Sequence, residues 1–374
     1  MIRISQTRPL EAILQNGNEE YSIRLIENPS SSIRLNDLFS LPDTARRIVD
    51  SFLAFYLLGD NIPPPEINKV RINFPLDSSC LEWFRGLYNY WKRPFPELES
   101  EVQDFDPLTP SLNKKDKRLL AFSGGKDSTY LAIKNDVLPV HILGLNSKFK
   151  ARELNAVNNL SRYINNTSIL IPIENKNVLF GDIGYQVRDG LIYTLIASAG
   201  LKLNASEILS GSYIEGPWYG ESKEGIDKLN KILLKKGFES QVSVIKNLDE
   251  EDVIRNIIEI NPEILNFTSS CVVSEPDFSE FRRRYNKDFS DPPLLSDSCG
   301  LCGKCAEINM ARMLFDPKLS LTYTDSRIKL VRYYLERFSK SRPFRDLIET
   351  NLLNKVAQKY LNDYNSSQIV ENLQ

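Results

Sequence analysis

The chain has 374 residues, a hydrophobic fraction of 41% and a formal net charge of −2. The near balance of 47 Lys and Arg against 49 Asp and Glu argues against a chain-wide basic surface for nucleic acid, although a local patch stays open. A single histidine argues against Ser-His-Asp or Cys-His catalysis. Since no stretch resembles a signal peptide or a membrane span, we expect a soluble cytoplasmic protein that binds no membrane.

The first 98 residues are predicted to form a small α+β accessory domain. Alternation of apolar and polar residues indicates strands at 21–26 and 69–74. Helical spacing indicates helices at 43–58 and 80–91. The aromatic residues of the second helix favour a packed core over a binding surface. The segment 99–117, in a stretch rich in proline and charge, is predicted to be a linker.

From residue 118 the pattern alternates between strands and helices, which is typical of a parallel sheet with helices on both faces. The sheet is predicted to have about five strands, at 119–122, 140–145, 168–173, 207–210 and 241–245. The predicted helices are 128–135, 151–164, 189–203, 223–236 and 250–259. A sheet domain is therefore predicted over 118–317, with C-terminal helices over 318–374. Two of these helices are predicted within 325–364, separated near Pro343.

The segment 123–128 reads Ser-Gly-Gly-Lys-Asp-Ser and follows the first strand of that sheet. Gly124 and Gly125 allow a tight turn whose backbone N–H groups can approach an oxyanion. Lys126 adds a positive charge and Asp127 a carboxylate that suits Mg²⁺. The spacing differs from G-x-x-x-x-G-K-S/T and from G-x-G-x-x-G. We therefore predict a phosphate or pyrophosphate site, the alternative being an ordinary turn between a strand and a helix.

Four of the five cysteines suit a metal site. Cys299, Cys302 and Cys305 form a C-x2-C-x2-C cluster, and Cys271 lies upstream. Four thiolates suit a structural tetrahedral Zn²⁺ ion that leaves no position open for water. An iron–sulfur cluster and a redox pair are the alternatives. Cys80 is predicted to be an ordinary buried thiol.

Two other features have a structural and a functional interpretation. The basic and aromatic segment 281–285 is predicted to lie in a loop between Cys271 and the cluster. It is either a solvated face or a site for a phosphate or a partner. His141 lies in an apolar run and is predicted to be a core or strand-end residue rather than a catalyst.

The loop and the cysteine cluster together resemble those of the 7-cyano-7-deazaguanine synthase (QueC) family of PP-loop ATP pyrophosphatases. Weaker similarities to this family lie at 140–142, 186–191, 208–211 and 309–312. The segment 213–221 and the long interval between Cys271 and Cys299 depart from the family's pattern, and the N-terminal region has no counterpart in its housekeeping enzyme. QueC-like proteins with added N-terminal regions occur in bacterial antiviral defence operons, such as type IV CBASS and Qat systems, and the chain resembles that branch more.

The resemblance implies a fold similar to that of adenine nucleotide alpha hydrolases, with ATP, Mg²⁺ and Zn²⁺ as cofactors. It implies that a nucleobase-like acid such as 7-carboxy-7-deazaguanine is activated as an acyl adenylate with release of pyrophosphate. An amine or ammonia would then give an amide or a nitrile, with a partner protein as one candidate acceptor and a homodimer as one candidate assembly.

The site residues implied by the resemblance fall into three groups. The nucleotide-binding residues are Ser123, Gly124, Gly125, Lys126, Asp127, Ser128 and Gly211. The catalytic residues are Lys126, Asp127 and Arg188. The substrate-binding residues are Arg188, Asp189, Tyr213, Glu215 and Trp218.

Three other functions compete with this one. A tRNA-thiolating PP-loop enzyme would need a reactive cysteine and an RNA-binding surface. An electron-transfer enzyme similar to PAPS reductase would carry an iron–sulfur cluster. A non-catalytic subunit would bind the nucleotide and act as a scaffold in a defence complex.

Overall fold

The structure is a computed structural model, and it describes residues 2–16, 18–26, 42–61, 69–109, 117–145, 150–160, 163, 168–176, 182–211, 219–220, 222–244, 250–268, 275–289, 299–320, 324–338 and 350–361. The chain divides into two compact units. The sheet unit comprises Met1–Ser123, Lys134–Lys150 and Asn166–Asn247. The helical unit comprises Gly124–Ile133, Ala151–Asn165 and Leu248–Gln374.

The sheet unit contains a ten-stranded sheet and a separate pair of short strands. The strands are β1 (Ile2–Ser5), β2 (Glu11–Asn16), β3 (Glu19–Leu25), β4 (Lys69–Ile72), β5 (Leu76–Asp77), β6 (Glu97–Glu99), β7 (Val102–Gln103), β8 (Lys117–Ala121), β9 (Leu138–Leu143), β10 (Ile169–Lys176), β11 (Ala205–Ser210) and β12 (Gln241–Val244). Across the large sheet their order is β12-β11-β8-β9-β10-β3-β2-β1-β4-β6, and β5 pairs with β7.

The five strands from β12 to β10 are parallel to one another and correspond to the five that the sequence predicts. Their central residues are buried, including Leu119, Leu120, Val140 and Ile171. Runs of apolar residues suit such strands because both faces of a parallel sheet are covered.

The prediction of about five strands is wrong for the whole sheet, which has ten. β3 runs antiparallel to β10, with Leu25 opposite Ile173, and it brings β2 and β1 into the same sheet. This pairing covers an edge that β10 would otherwise expose. Alternation along a strand does not reveal which edge of a sheet that strand joins, so this pairing could not be predicted from the sequence. The predicted domain limits 1–98, 99–117, 118–317 and 318–374 stay predictions.

The described helices include every helix that the sequence predicts, with shifted ends. They are α1 (Asp43–Asn61), α2 (Ser78–Tyr90), α3 (Lys126–Lys134), α4 (Lys150–Leu160), α5 (Asp182–Leu203), α6 (Lys223–Lys235), α7 (Glu250–Ile260), α8 (Glu275–Asp288), α9 (Gly303–Phe315), α10 (Pro317–Ser320), α11 (Asp325–Phe338) and α12 (Thr350–Tyr360), with a 3-10 helix at Pro262–Phe267. The largest shift is in α5, which begins at Asp182 instead of residue 189. None of the helices in the described residues is long and apolar enough to cross a membrane.

The core of the sheet unit is rich in aromatic side chains. Trp83 of α2 lies edge-on to Phe52 of α1 with ring centroids 5.2 Å apart, and its Nε1 donates to the Gly225 carbonyl at 2.9 Å. A Cβ atom on Gly190 of α5 would lie 2.6 Å from Phe52 and 2.8 Å from Trp83, so α5 needs a glycine to approach these rings. The predicted packing of the aromatic helix in a core is confirmed.

The helical unit has its own core, formed by side chains of α7, α9, α11 and α12. Tyr130 and Ile133 of α3 pack against this core, which ties the helix after the Ser-Gly-Gly-Lys-Asp-Ser segment to the unit. The segment 281–285 lies within α8, so its prediction as a loop is wrong. Tyr285 and Phe289 are buried on one face of this chain segment because their four-residue spacing matches the helical turn.

Candidate functional site

The loop at 123–128 has the strand–turn–helix context that the sequence predicts. β8 ends at Ala121, a turn of four residues follows, and α3 begins at Lys126. Gly124 has a φ of +79°, a conformation that residues with a side chain rarely adopt. The Thr129 N–H donates to the Gly125 carbonyl at 3.0 Å and closes the first turn of the helix. The N–H groups at the start of α3 therefore lie at the positive end of the helix dipole.

Topology places two of the predicted nucleotide-binding residues at one edge of the parallel strands. β8 pairs with β9 on one side and with β11 on the other, so the strand order reverses at β8. Ser123 and Gly211 follow β8 and β11 in the chain, beyond the paired residues Leu120 and Leu209. In open α/β sheets, ligands bind at this reversal, outside the carboxyl ends of the strands.

Lys126 of the loop is buried and forms ion pairs with two carboxylates. Its side chain is 2% exposed, and Nζ lies 2.9 Å from Asp127 Oδ1 and 3.4 Å from Glu307 Oε1. The Glu307 side chain is also 2% exposed, and its Oε2 lies 3.3 Å from Lys304 Nζ. A carboxylate at such a depth requires cationic partners, because burial removes its hydration. Glu307 was not predicted to be a site residue, because its one signal in the sequence is its place two residues after Cys305.

Arg188 and Asp189 lie on α5 in the sheet unit and contact each other. Arg188 Nε and Nη2 lie 3.3 and 3.2 Å from Asp189 Oδ1. Burial raises the pKa of the Asp189 carboxyl above its ordinary value, and the Arg188 guanidinium opposes part of this increase. The Arg188 side chain is partly exposed to solvent.

The cysteine cluster precedes and begins α9 in the helical unit. The sulfur atoms of Cys299, Cys302 and Cys305 all lie within 4.8 Å of one another. Cys305 Sγ is 3.8 Å from Cys299 Sγ and 3.3 Å from Cys302 Sγ. In a tetrahedral zinc site with Zn–S bonds of about 2.3 Å, sulfur atoms lie about 3.8 Å apart. The three residues present therefore fit a metal ion such as zinc.

Backbone donors and packing fix the turn that carries these sulfurs. The N–H groups of Leu301 and Cys302 donate to Cys299 Sγ at 3.4 and 3.3 Å. Gly300 has a φ of +73°, and a Cβ atom there would lie 2.5 Å from the Tyr285 ring. The Tyr334 hydroxyl donates to the Gly300 carbonyl at 2.6 Å. The turn is thus held by tyrosines from α8 and α11.

The basic and aromatic segment 281–285 of α8 contacts the cysteine turn through Tyr285. Tyr285 is buried against the cysteine turn, whereas Arg283 and Arg284 are exposed. Arg284 lies 3.5 Å from Asp288 and near the Tyr333 ring. Tyr285 therefore has a structural part in the helical unit, and Arg283 and Arg284 are on the exposed face of α8, whose binding of a phosphate or a partner stays a prediction.

The predicted placement of His141 in the core and the predicted burial of Cys80 are confirmed. His141 is a buried residue of β9, with Nδ1 2.6 Å from the Phe122 carbonyl oxygen. Cys80 is fully buried in α2, and this burial raises the pKa of its thiol well above the ordinary value. Such a thiol is a poor nucleophile because it stays protonated at neutral pH.

Some predicted site residues lie outside the described residues. These are Cys271, Tyr213, Glu215 and Trp218. Their assignment to the metal site and to the substrate stays a prediction.

Comparisons with known proteins do not place the chain in a family. No protein-family model matches the sequence, and no curated protein matches it.

Proposed function

We propose that the chain is an ATP-dependent enzyme of the PP-loop type that activates a carboxylate as an acyl adenylate. The observation that carries this proposal is the loop itself. Gly124 takes a positive φ, Lys126 and Asp127 occupy the first turn of a helix, and the strand before them lies where the order of the sheet reverses. Backbone N–H groups and a helix dipole at such a place favour phosphate binding.

The loop residues and Gly211, which follows β11, have distinct roles in this proposal. Backbone N–H groups of 124–128 and the hydroxyls of Ser123 and Ser128 bind the phosphates that leave as pyrophosphate. Lys126 supplies positive charge to the phosphates, and Gly211 allows close approach of the nucleotide. Asp127 would hold Mg²⁺, which neutralises negative charge on the phosphates.

The proposed reaction has two steps. A carboxylate oxygen of the substrate attacks the α-phosphorus of ATP, and the bond to the β-phosphate oxygen breaks to release pyrophosphate. An amine nitrogen then attacks the activated carbonyl carbon, and AMP leaves. We propose 7-carboxy-7-deazaguanine as the acid, and ammonia or a partner protein as the amine, in an antiviral defence system. Arg188, Asp189, Tyr213, Glu215 and Trp218 are the proposed contacts of the acid.

The cysteines are proposed to hold structural zinc rather than to react. Cys299, Cys302 and Cys305 would supply three thiolates, and Cys271 is the proposed fourth ligand. Zinc bound in this way stabilises the fold around the cysteine turn and takes no part in the chemistry.

The direct test is acid-dependent release of pyrophosphate from Mg·ATP by the zinc-loaded protein. We expect release that depends on 7-carboxy-7-deazaguanine and falls by about 10²-fold or more in Asp127→Ala, since the variant loses a charge that the transition state requires. Asp252→Ala is the matched control, because Asp252 is an exposed aspartate in the same unit. ATP binding without pyrophosphate release would instead favour a nucleotide-binding scaffold.

A further inference from the structure

We propose that Glu307 is a positioning residue that couples metal binding by the cysteine cluster to the order of the loop at 124–128. This inference rests on the proposed role of the loop in binding nucleotide. It adds a form of control that the proposed function does not require: the nucleotide site is fully formed only when the cysteines hold their metal.

The physical connection is short and lies within the helical unit. Cys305 and Glu307 belong to the first two turns of α9. Lys126 is the first residue of α3, and its Nζ lies 3.4 Å from Glu307 Oε1. One buried ion pair therefore joins the helix that begins in the cysteine cluster to the helix that begins at the loop.

Burial makes this ion pair sensitive to position. Both side chains are only 2% exposed, so water does not screen their attraction as it does at the surface. A displaced Glu307 carboxylate would leave the lysine ammonium without one of its countercharges in a poorly solvated place. The position of α9 consequently affects the position of Lys126.

The start of α9 is the part that a metal would fix. Cys302 is the N-cap of this helix, and its side chain makes no capping hydrogen bond. A helix start without a side-chain cap is less stable than a capped one, even where tyrosines hold Gly300 in the turn before it. Metal bound to Cys302 and Cys305 would hold the turn that precedes Glu307, and this constraint would reach the loop through Lys126.

Hydrogen exchange of the loop tests the coupling without any need for nucleotide or activity. We expect added zinc to slow amide exchange in peptides that cover 122–134 by about tenfold, within the range of ordinary allosteric coupling. Glu307→Gln, which keeps the shape of the side chain but removes its charge, is expected to bind zinc with the same stoichiometry and to lose this protection.

Glu251→Gln provides the matched control. Glu251 is also a buried glutamate of the helical unit, and both of its oxygens lie 3.0 Å from Lys355 Nζ. This variant removes a comparable ion pair and is expected to keep the zinc-dependent protection of 122–134. If Glu307→Gln folds poorly, Lys126→Gln breaks the same pair from the loop side and is expected to lose the protection as well.

Reciprocity gives a second readout. For a non-hydrolysable ATP analogue with Mg²⁺, zinc is expected to tighten binding by about tenfold in the wild type and in Glu251→Gln, and to have little effect in Glu307→Gln. Loop protection by zinc that persists in both Glu307→Gln and Lys126→Gln would overturn the inference, as would a wild-type loop that zinc does not protect. If the protection depends on Glu307 but the protein releases no pyrophosphate, the coupling would be supported and the proposed reaction would be rejected.

Discussion

Each unit of the molecule contains a buried pair of a lysine and a carboxylate, and the two pairs differ in what surrounds them. In the sheet unit, Lys236 Nζ lies 2.6 Å from Asp77, and both side chains are 0% exposed. In the helical unit, Lys126 Nζ lies 3.4 Å from Glu307. A buried lysine and carboxylate are thus paired once between two helix ends and once at the start of the helix that follows the predicted phosphate-binding turn.

The partners of the sheet-unit pair identify it as structural. Asp77 also accepts hydrogen bonds from the N–H groups of Ser79 and Cys80 and caps α2. Lys236 is the C-cap of α6 and donates to Asp104 at 2.6 Å and to the Phe105 carbonyl at 2.8 Å. This pair joins the start of one helix to the end of another. Burial of a lysine therefore does not by itself identify a functional site. The residues around the lysine distinguish a structural ion pair from a functional one.

The largest expected effect is on stability, in Lys236→Met. Removal of the lysine leaves the Asp77 charge buried, and this usually destabilises a protein by about 3–5 kcal/mol. Urea unfolding measures the change, and the fraction of protein that stays folded should retain pyrophosphate release. A loss of less than about 1 kcal/mol, which is typical of surface ion pairs, would contradict the structural role of the pair between Lys236 and Asp77.

Lys126→Met is expected to have its main effect on activity. Glu307 keeps Lys304 as a partner, so we expect a smaller loss of stability than in Lys236→Met. Loss of the positive charge at the phosphates is expected to lower pyrophosphate release by about 10²–10³-fold. Parallel unfolding and release assays on the two variants compare the pairs directly. Unchanged release together with a large loss of stability would assign Lys126 the same structural role as Lys236.

The strands, the helices and the loop could largely be predicted because their signals are local. Apolar runs indicated β8 to β12, and adjacent glycines indicated the turn with a positive φ at Gly124. The pairing of β3 with β10 and the contact of Lys126 with Glu307 depend on residues far apart in the chain. Periodicity carries no information about such contacts. The helix that contains Tyr285 was missed because its charged face hid the four-residue spacing of Tyr285 and Phe289.

Asp50 adds a third buried carboxylate to the comparison, and the Gln6 side chain and a backbone N–H group stabilise its charged form. The Leu10 N–H donates to its Oδ1 at 2.9 Å. Burial raises the pKa of Asp50 from 3.8 to about 6. Because the folded protein binds this proton more tightly than the unfolded chain, the free energy of unfolding should fall as pH rises from about 4 to about 6, by about 3 kcal/mol.

Replacement of Asp50 by asparagine tests this pH dependence. Asp50→Asn keeps an oxygen that can accept from Leu10 and removes the titrating group. The difference in free energy of unfolding between wild type and variant should therefore change across pH 4–6 and stay constant above about pH 7. A difference that does not depend on pH would show that Asp50 has an ordinary pKa.

The smallest expected effect is that of a helix cap in the sheet unit. Ser222 caps α6, and its side chain accepts from the Gly225 N–H at 3.1 Å. Ser222→Ala is expected to lower the free energy of unfolding by about 1 kcal/mol, as measured in urea, because that N–H loses its acceptor. Pyrophosphate release should not change. A reduced rate in folded protein would mean that α6 affects the reaction.

The most direct test of the central claim is to identify which phosphate bond of ATP breaks. The zinc-loaded protein would be incubated with Mg·ATP labelled at the α-phosphate, with and without 7-carboxy-7-deazaguanine, and the labelled products separated. We predict labelled AMP together with pyrophosphate, only when the acid is present and only with Lys126 and Asp127 intact. Labelled ADP, or AMP formed equally without any acid, would contradict the assignment of the loop to carboxylate activation.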